Sequence, residues 1–515
     1  MRSACQPLAL LVLLGAGCVN VEAYTRGEVV PTQEILQRKD DLPGLIEEKL
    51  AAGEPEAAFY ALEVHRTRRL GGQRIGQSGR KVPAPYKSKE LHELLYLHGR
   101  ASSPRHPDGP LDGAKQKRLN ELRAAFVAAG RAGDEAFWKE YRIAEARLAA
   151  YSQEAKILER PYSSIYRDAS LVVSAQDVRL GLSPEEGLVE YWMSPRRACA
   201  LVIRSEGLTV VDLPADAARL AREVEAFRRA IESEDPAWEA PARRLFELLL
   251  APVAPHLQGV ETLFLVPHAA LANLPFQALV DPQGRTALER WRLSLQPSFS
   301  FYKSLTGRPP VKDPPRVMAL GHDTLRTAMK EAEKMGMLFP GSEAWLPVAD
   351  SPHPPLEELF YRRVKEFNVL HLATHGACVA EVPLASNLSL YGDGQYQDGH
   401  LTAAEIRTLD LAHTQVVFLS ACMSAQSGHT ELDSDLASLA GAFMTAGAPT
   451  VVGSLWPVDD LATGRIALRF YQLYLELGPA EALRRAALEI KGGAILRRHA
   501  LPKYWAPFNV YGMDR

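Results

Sequence analysis

Short apolar runs alternate with helical stretches over most of the chain beyond residue 187, and this alternation limits the fold more than any other feature. The clearest runs span residues 262–266, 316–320, 369–373, 415–420 and 450–455. Runs of this length separated by helices are typical of βαβ units, whose strands lie parallel. The sequence therefore predicts an α/β fold with a largely parallel sheet that helices cover on both faces.

Three further β-rich runs come first, at residues 188–193, 199–204 and 208–213. The Ser-Glu-Gly sequence at 205–207 predicts a hairpin turn between the last two, and a long helix is predicted over 215–233. The chain has 515 residues, which is enough for two or three domains. Its formal net charge of -3 provides no basic surface of the kind that a phosphate backbone requires, so nucleic acid is not a predicted partner.

The N-terminal residues have the pattern of an export signal. An apolar run at 8–14 follows Arg2, and small residues at 15–17 precede Cys18. This resembles a bacterial lipoprotein signal in which Cys18 is lipidated, although the leucine expected three residues before the cysteine is replaced by Gly15. Simple secretion and an unprocessed terminus are the alternatives. We expect an exported bacterial protein, periplasmic or at the cell surface, whose contact with a membrane is a lipid anchor at most.

Residues 24–181 are predicted to form an α-helical region. Amphipathic segments at 45–52 and 56–70 are separated by Gly-Glu-Pro, which predicts a helix pair. The stretches 71–89 and 101–113 are rich in Gly, Pro, Ser and basic residues and indicate loops, and the helical period resumes over 115–159.

A histidine and a cysteine follow two of the apolar runs. His375 and Gly376 come just after the run at 369–373, and Cys422 follows the run at 415–420. Because the carboxyl ends of neighbouring parallel strands meet at one edge of the sheet, the imidazole and the thiol are expected side by side. An imidazole near a thiol favours the thiolate and can protonate a leaving group. The sequence thus predicts a Cys/His nucleophile pair.

Roles other than catalysis are alternatives for these residues and for the neighbouring His371. His371 lies four residues before His375, so a metal pair is one alternative, but the helical zinc-protease pattern requires a glutamate where the chain has Leu372. We favour a structural, hydrogen-bonded His371, and neither a metal nor a cofactor is predicted. Cys422 alone could be a small buried hydrophobe. With Cys199 and Cys378 it makes three cysteines beyond the signal, which is no disulfide framework.

Five motifs in order carry a family resemblance. They are LHLATHG at 370–376, LTAAEI at 401–406, LSAC at 419–422, GSLWPVDD at 453–460 and YWAPF at 504–508. Together they resemble the CHAT family of caspase-like cysteine peptidases, and the similarity extends upstream to about residue 183. The predicted domains are a signal peptide at 1–23, a helical region at 24–181 and a CHAT peptidase domain at 182–515. The helix pair is similar to the last helices of the tetratricopeptide arrays that often precede such domains.

The resemblance implies a function and a site. His375 and Cys422 match the family's catalytic pair, and the backbone amides of Gly376 and Cys422 would form the oxyanion hole. The implied activity is that of a cysteine endopeptidase that cleaves proteins or peptides through an acyl-enzyme. No third catalytic group is obvious from the sequence. The alternatives are a catalytically silent binding or signalling module, and an acyltransferase or non-peptide hydrolase that uses the same thiol. An activating protein partner that binds the helical N-terminus is also expected.

The segment after the nucleophile departs from the family pattern, because MSAQSGHTELD at 423–433 replaces a Thr-Gly pair and a Gly-rich stretch. The resemblance places this loop and the strand at 450–456 beside the substrate. Trp456, Asp433, Asp435 and Asp459 are therefore the predicted substrate-binding residues, the aspartates receiving a basic side chain. The favoured alternative is that Asp433 or Asp435 caps a helix over 436–446, with Asp459 undecided.

Cys378 lies three residues beyond His375. One hypothesis is that it forms a disulfide with Cys422 in an oxidising compartment and holds the thiol inactive until it is reduced.

Overall fold

The computed structural model describes residues 38, 41–71, 113–114, 117–118, 120–121, 172–306, 313–322, 324–346, 356–379, 386–390, 399–407, 409–426, 438–493 and 497–514. The predicted export signal with Cys18 lies outside these residues, as do Asp433, Asp435 and most of the helical stretch predicted over 115–159. Export, lipidation and the three domain boundaries therefore stay predictions. Within the described part of the chain, no helix combines the length and the apolar character that crossing a membrane requires.

The elements are numbered in chain order. The helices are α1 (Leu42–Ala51), α2 (Pro55–Gly71), α3 (Ala175–Gly181), α4 (Ala217–Glu232), α5 (Glu239–Leu249), α6 (Ala287–Arg290), α7 (Phe299–Thr306), α8 (Arg326–Met335), α9 (Leu356–Arg363), α10 (Ala403–Ile406), α11 (Leu439–Ala446), α12 (Asp460–Leu477), α13 (Pro479–Lys491) and α14 (Pro502–Trp505). The strands are β1 (Glu186–Met193), β2 (Ala198–Arg204), β3 (Gly207–Asp212), β4 (Thr262–Val266), β5 (Arg292–Leu295), β6 (Val317–Gly321), β7 (Glu343–Trp345), β8 (Val369–Ala373), β9 (Gly376–Ala377), β10 (Asn387–Ser389), β11 (His400–Thr402), β12 (Val416–Ser420), β13 (Thr450–Ser454) and β14 (Phe508–Gly512).

Within the described residues, the main sheet has 11 strands in the order β3-β2-β1-β4-β5-β14-β13-β12-β8-β6-β7. Its pairings are parallel except for β1 with β2, β2 with β3 and β13 with β14. The predicted α/β fold with a largely parallel sheet is thereby confirmed, and so is the hairpin turn at 205–207. A separate antiparallel sheet, in the order β11-β10-β9, follows β8.

The central strands are buried along their whole length, as their composition requires. Every residue of β4, β6, β8, β12 and β13 is buried. A strand covered on both faces has no polar side, so it appears in the sequence as a continuous apolar run and not as an alternation. This is why these five strands were predicted within one residue of their observed bounds.

Six strands of the described part of the chain were not predicted: β5, β7, β9, β10, β11 and β14. Two of them, β5 and β14, lie in the middle of the main sheet. β5 has the sequence RLSL and β14 has FNVYG, and β14 lies between β5 and β13. Both are short and carry polar residues, and strand propensity depends strongly on the neighbours that a strand finds in the sheet. The local sequence therefore did not indicate a place in the middle of the sheet for either.

The predicted helix pair is confirmed as α1 and α2, and it packs against the first half of the sheet. Arg66 of α2 is buried, with its Nε 2.7 Å from Glu190 Oε1. Its Nη2 donates to the Tyr191 carbonyl at 3.0 Å, and its Nη1 to the Pro267 carbonyl at 3.1 Å. One side chain of α2 thus binds the carboxyl ends of both β1 and β4.

Glu63 makes a second buried contact from α2. Its carboxylate accepts hydrogen bonds from the backbone N–H groups of Phe299 at 3.0 Å and Ser300 at 2.6 Å, at the first turn of α7. Burial raises the pKa of the Glu63 carboxyl, and these hydrogen bonds act in the opposite direction. The helix pair is therefore joined to the sheet domain by buried polar contacts.

One predicted helix cap is wrong. α11 begins at Leu439, and the Ser438 hydroxyl accepts the cap hydrogen bond from the Gly441 N–H at 3.1 Å. An aspartate at 433 or 435 is too far along the chain to cap a helix that begins there. The end of the helix is as predicted, because Gly447 adopts the left-handed conformation with φ 117°.

Candidate active site

The register of two strands brings His375 and Cys422 to the same edge of the sheet. β8 and β12 run parallel, with Leu372 opposite Leu419 and Ala373 opposite Ser420. His375 and Cys422 each lie two residues beyond the last pair. The Thr374 N–H also donates to the Ser420 carbonyl at 3.3 Å, so the two chains stay together past the strand ends. The structure therefore places the two residues at corresponding positions, as the sequence predicted.

Gly376 approaches the nucleophile more closely than any other residue type could. A Cβ at this position would lie 2.3 Å from the Cys422 carbonyl oxygen and 3.4 Å from the Ala421 Cβ. Carbon and oxygen atoms do not approach to the first distance without displacing the backbone. The glycine is thus required by the contact between the His375 segment and the Cys422 segment.

The backbone N–H of Gly376 points away from the small sheet. The Ser389 N–H donates to the His375 carbonyl at 2.9 Å, and Leu388 is the residue opposite Gly376. In an antiparallel pair, hydrogen-bonded and non-hydrogen-bonded positions alternate, so Gly376 occupies a non-bonded position. Its amide is therefore not used by β10, as a role in an oxyanion hole requires.

The Cys422 thiol is half-buried, and its surroundings favour the protonated form. Burial raises its pKa, and the negative charge of Asp460 raises it further. The backbone N–H groups of Val458 and of Cys422 itself act in the opposite direction, but the net direction is upward. Burial and the charge of Asp460 therefore disfavour the thiolate.

The turn that carries Cys422 is tightly held. Met423 has φ 52°, a left-handed conformation that is uncommon for a residue other than glycine. The Ser454 hydroxyl donates to the Ala421 carbonyl at 2.6 Å, and the Ser454 N–H donates to the Ser424 hydroxyl at 2.9 Å. The end of β13 thus fixes the chain on both sides of the nucleophile. Neither serine was predicted as part of the site, although Ser454 lies within the GSLWPVDD motif.

The His375 ring is exposed and has a defined neighbourhood. Its Nε2 lies 2.8 Å from the Thr324 hydroxyl, and its ring packs edge-on against His322 with 4.9 Å between centroids. Among the described residues, Thr324 is its hydrogen-bond partner, and no hydrogen bond joins the ring to the Cys422 thiol. Neither His322 nor Thr324 was predicted as part of the site. The available signal was a polar segment directly after the apolar run that forms β6, at the same sheet edge.

His371 has the structural role that was favoured for it. It is fully buried, with Nε2 3.0 Å from Glu331 Oε1 of α8 and Nδ1 3.3 Å from the Tyr471 hydroxyl of α12. Both ring nitrogens thus face side chains of helices that cover β8. The ring links these two helices and does not reach the open edge where His375 lies.

Two of the predicted substrate-binding residues are described, and both have structural partners. Trp456 is fully buried, and its Nε1 donates to the Lys503 carbonyl at 3.0 Å. Asp459 caps α12 by accepting from the Ala462 N–H at 2.9 Å, and its other oxygen lies 3.8 Å from Arg498 Nη2. In this conformation the Trp456 ring presents no surface to a substrate. Substrate binding by either residue stays a prediction.

Among the described residues, Cys199, Cys378 and Cys422 take part in no disulfide. The Cys378 thiol lies 3.7 Å from the Gln426 carbonyl, to which it donates. A disulfide between Cys378 and Cys422 is not present in this state, and the redox hypothesis stays untested.

Family comparison gives one match, to the CHAT domain, over residues 239–513. The chain belongs to the CHAT domain family. The match includes His375, Gly376 and Cys422, and it confirms the resemblance to the CHAT family seen in the five motifs. The main sheet of this CHAT protein also includes β1, β2 and β3, which precede the matched residues.

Comparisons with other proteins are more distant. No curated protein matches the chain. The separase–securin complex of Saccharomyces cerevisiae is similar at 12% identity with a TM-score of 0.44, over 96% of this chain and 44% of that chain. The CHAT protein thus spans less than half the length of that separase chain. The Arg-specific cysteine proteinase gingipain R is similar at 10% identity with a TM-score of 0.34, over 59% of this chain and 69% of that one. A complex of Porphyromonas gingivalis RgpB pro- and mature domains is similar at 9% identity with a TM-score of 0.33, over 58% of this chain and 71% of that chain.

Proposed function

We propose that this CHAT protein is a cysteine endopeptidase in which Cys422 is the nucleophile and His375 the base. The observation that carries the proposal is the contact between the two segments at the sheet edge. His375 and Cys422 occupy corresponding positions beyond paired strands, and Gly376 lies against the Cys422 carbonyl with no room for a side chain. Family membership supports the same assignment.

The raised pKa of the Cys422 thiol favours one form of the mechanism. Because the surroundings of Cys422 disfavour a thiolate formed beforehand, His375 takes the proton as the sulfur attacks the peptide carbonyl. A carbon–sulfur bond forms, and the negative charge moves to the carbonyl oxygen. The amides of Gly376 and Cys422 stabilise that oxygen.

The imidazolium of His375 then gives its proton to the leaving amine as the peptide bond breaks. The first product departs and leaves an acyl group on Cys422. His375 next removes a proton from a water molecule, which attacks the thioester and releases the second product with the thiol restored.

We further propose that acidic residues select a basic side chain next to the cleaved bond. Asp433 and Asp435 follow the nucleophile in sequence, and Asp459 is one-quarter exposed with one oxygen outside its cap hydrogen bond. Trp456 would border the same cleft through its backbone or after a rearrangement. An activating protein would bind the outer surface of α1 and α2, because the inner surface packs on the sheet.

The test uses electrophilic peptide probes with Arg, Lys, Asp or Leu next to the warhead. Wild type, Cys422→Ala and His375→Ala proteins are incubated with each probe, and labelling is located by mass spectrometry. Labelling of Cys422 in the wild type and its loss in both variants is the expected result, and the preferred probe reports the specificity.

Two results would contradict the proposal. Labelling by ester probes and not by peptide probes would favour a non-peptide hydrolase or acyltransferase. If a small alkylating agent modifies Cys422 but no probe does, even when proteins that co-purify with α1 and α2 are added, a binding module is favoured.

A further inference from the structure

Two side chains beside His375 have no part in the mechanism above. The Thr324 hydroxyl lies 2.8 Å from His375 Nε2 and 3.0 Å from His322 Nδ1, and so stands between the two rings. The Thr324 N–H also donates to His322 Nδ1 at 3.4 Å. Together these three contacts favour one placement of the protons.

The proton positions follow from the Thr324 backbone N–H, which can donate a hydrogen bond but cannot accept one. A backbone N–H only donates, so the His322 Nδ1 that it contacts carries a lone pair. The single proton of the Thr324 hydroxyl is then donated to that same nitrogen. The hydroxyl oxygen can only accept from His375 Nε2, which therefore carries a proton. A neutral imidazole carries one proton, so Nδ1 of His375 is left with the lone pair.

We propose that Thr324 and His322 are positioning residues that hold His375 in the tautomer with its proton on Nε2, which makes Nδ1 the nitrogen that receives the Cys422 proton. The kinetic part of this inference rests on the proposed peptidase function. The tautomer itself depends only on the contacts among the three side chains.

The Nε2–H tautomer suits a base, because the hydrogen bond between Nε2 and Thr324 does not change during proton transfer. When the Cys422 proton moves to Nδ1, the imidazolium keeps its Nε2 proton and its hydrogen bond to Thr324. In the opposite tautomer Nδ1 already holds a proton and can accept none from the thiol. A group that bonds to the other ring nitrogen thus decides which nitrogen is basic.

The backbone holds His322 in place relative to His375. The His322 N–H donates to the Ala373 carbonyl at 3.1 Å, at the end of β8, and the Leu325 N–H donates to the His322 carbonyl at 3.1 Å. The segment after β6 is therefore attached to the strand that leads into His375. This makes the positions of the three side chains a property of the sheet edge.

The direct test measures the tautomer by NMR. The full chain is prepared with ¹⁵N-labelled histidine, and the signals of His375 are assigned by their loss in a His375→Gln variant. Two-bond correlations from the ring carbon protons to the nitrogens distinguish Nε2–H from Nδ1–H.

We expect the Nε2–H tautomer of His375 in the wild type and in Thr324→Ser. A mixture of tautomers is expected in Thr324→Val, which has the same shape but no hydroxyl. His322→Asn, whose amide oxygen can replace Nδ1 as an acceptor, is expected to keep the wild-type tautomer, and His322→Ala to lose it.

The second readout is kinetic. With the best peptide probe or substrate, Thr324→Val is expected to lower kcat roughly tenfold with KM unchanged, as loss of one orienting hydrogen bond implies, while Thr324→Ser stays within about twofold of wild type. An Nδ1–H tautomer in the wild type, or an unchanged tautomer in Thr324→Val, would overturn the inference. If the wild type is inactive toward every substrate but the tautomers shift as expected, the positioning inference stands and the peptidase proposal fails.

Discussion

Gly376 and Cys422 meet backbone to backbone, and a Cβ at Gly376 would lie 2.3 Å from the Cys422 carbonyl oxygen. Gly376→Ala must therefore move Cys422 or the Gly376 amide, which are the proposed nucleophile and oxyanion donor. We expect a loss of activity of about 100-fold, the scale of removing one oxyanion donor, measured as the rate of probe labelling at Cys422. Gly207→Ala is the control, because a Cβ there meets no atom within 4 Å. Equal activity of the two variants would contradict the role given to this contact.

Ser454 is expected to support the turn that carries the nucleophile. Its hydroxyl donates to the Ala421 carbonyl at 2.6 Å, so Ser454→Ala should lower the free energy of unfolding by about 1 kcal/mol and also reduce kcat. Ser294→Ala is the matched control, because Ser294 is another buried serine that donates to a carbonyl, that of Gly512 at 2.9 Å. Denaturant unfolding should show a similar loss in both variants. Only Ser454→Ala should lose activity, and an equal loss in the control would remove Ser454 from the site.

Asp460 is expected to hold the thiol in its protonated form. Burial raises the pKa of Cys422, and the charge of Asp460 adds to the rise, while Thr327 of α8 donates to the Asp460 carboxylate and holds it in place. Because a nearby negative charge disfavours a thiolate, Asp460→Asn should lower this pKa. The pH profile of Cys422 alkylation, followed by mass spectrometry, should then shift to lower pH. Asp410→Asn, at an exposed site paired with Lys365, is the control that should leave the profile unchanged.

His371 is expected to matter for stability. Its ring lies 3.0 Å from Glu331 in the interior, and His371→Ala would leave that buried carboxylate without this partner. The expected decrease in the free energy of unfolding is about 3 kcal/mol. Tyr471→Phe removes only the hydroxyl at the other ring nitrogen and should cost about 1 kcal/mol. Similar costs for the two variants would show that the Glu331 contact contributes little.

Arg66 is expected to join the N-terminal helix pair to the sheet. Arg66→Met would leave Glu190 buried without its 2.7 Å ion pair, which should lower the free energy of unfolding by about 3–5 kcal/mol. Limited proteolysis should also release α1 and α2 more readily. Arg38→Met, which removes exposed ion pairs to Asp41 and Glu48 beside the same helices, should change neither measurement appreciably. Retained protection in Arg66→Met would mean that apolar packing alone holds the pair.

Several parts of this protein could be read from its sequence, because the information is local. β4 and β8 are continuous apolar runs, and their observed bounds equal the predicted ones. The pair His375 and Cys422 could also be located, since both residues follow such runs and parallel strands end at a common edge. The helix pair α1 and α2 was visible in its amphipathic period and its Gly-Glu-Pro break.

Other parts depended on which distant segments meet. Ser438 and not an aspartate caps α11. The helix begins at Leu439, where its buried residues pack, and the position of that start was not visible in the local sequence. Likewise, β14 lies in the middle of the sheet between β5 and β13, although its own sequence did not indicate a central strand.

The sequence by itself determined the fold class and located the two residues proposed as nucleophile and base, Cys422 and His375. Only the tertiary structure decided what surrounds them: Thr324 and His322 beside the base, Ser454 beneath the nucleophile, and Asp460 near the thiol. These residues come from two segments, His322 and Thr324 after β6 and Ser454 and Asp460 in the motif at 453–460, and neither segment contains His375 or Cys422. Hydrogen bonds and charges act over a few ångströms in space and not along the chain, so side chains that orient a base or shift a pKa carry no signature in the local sequence.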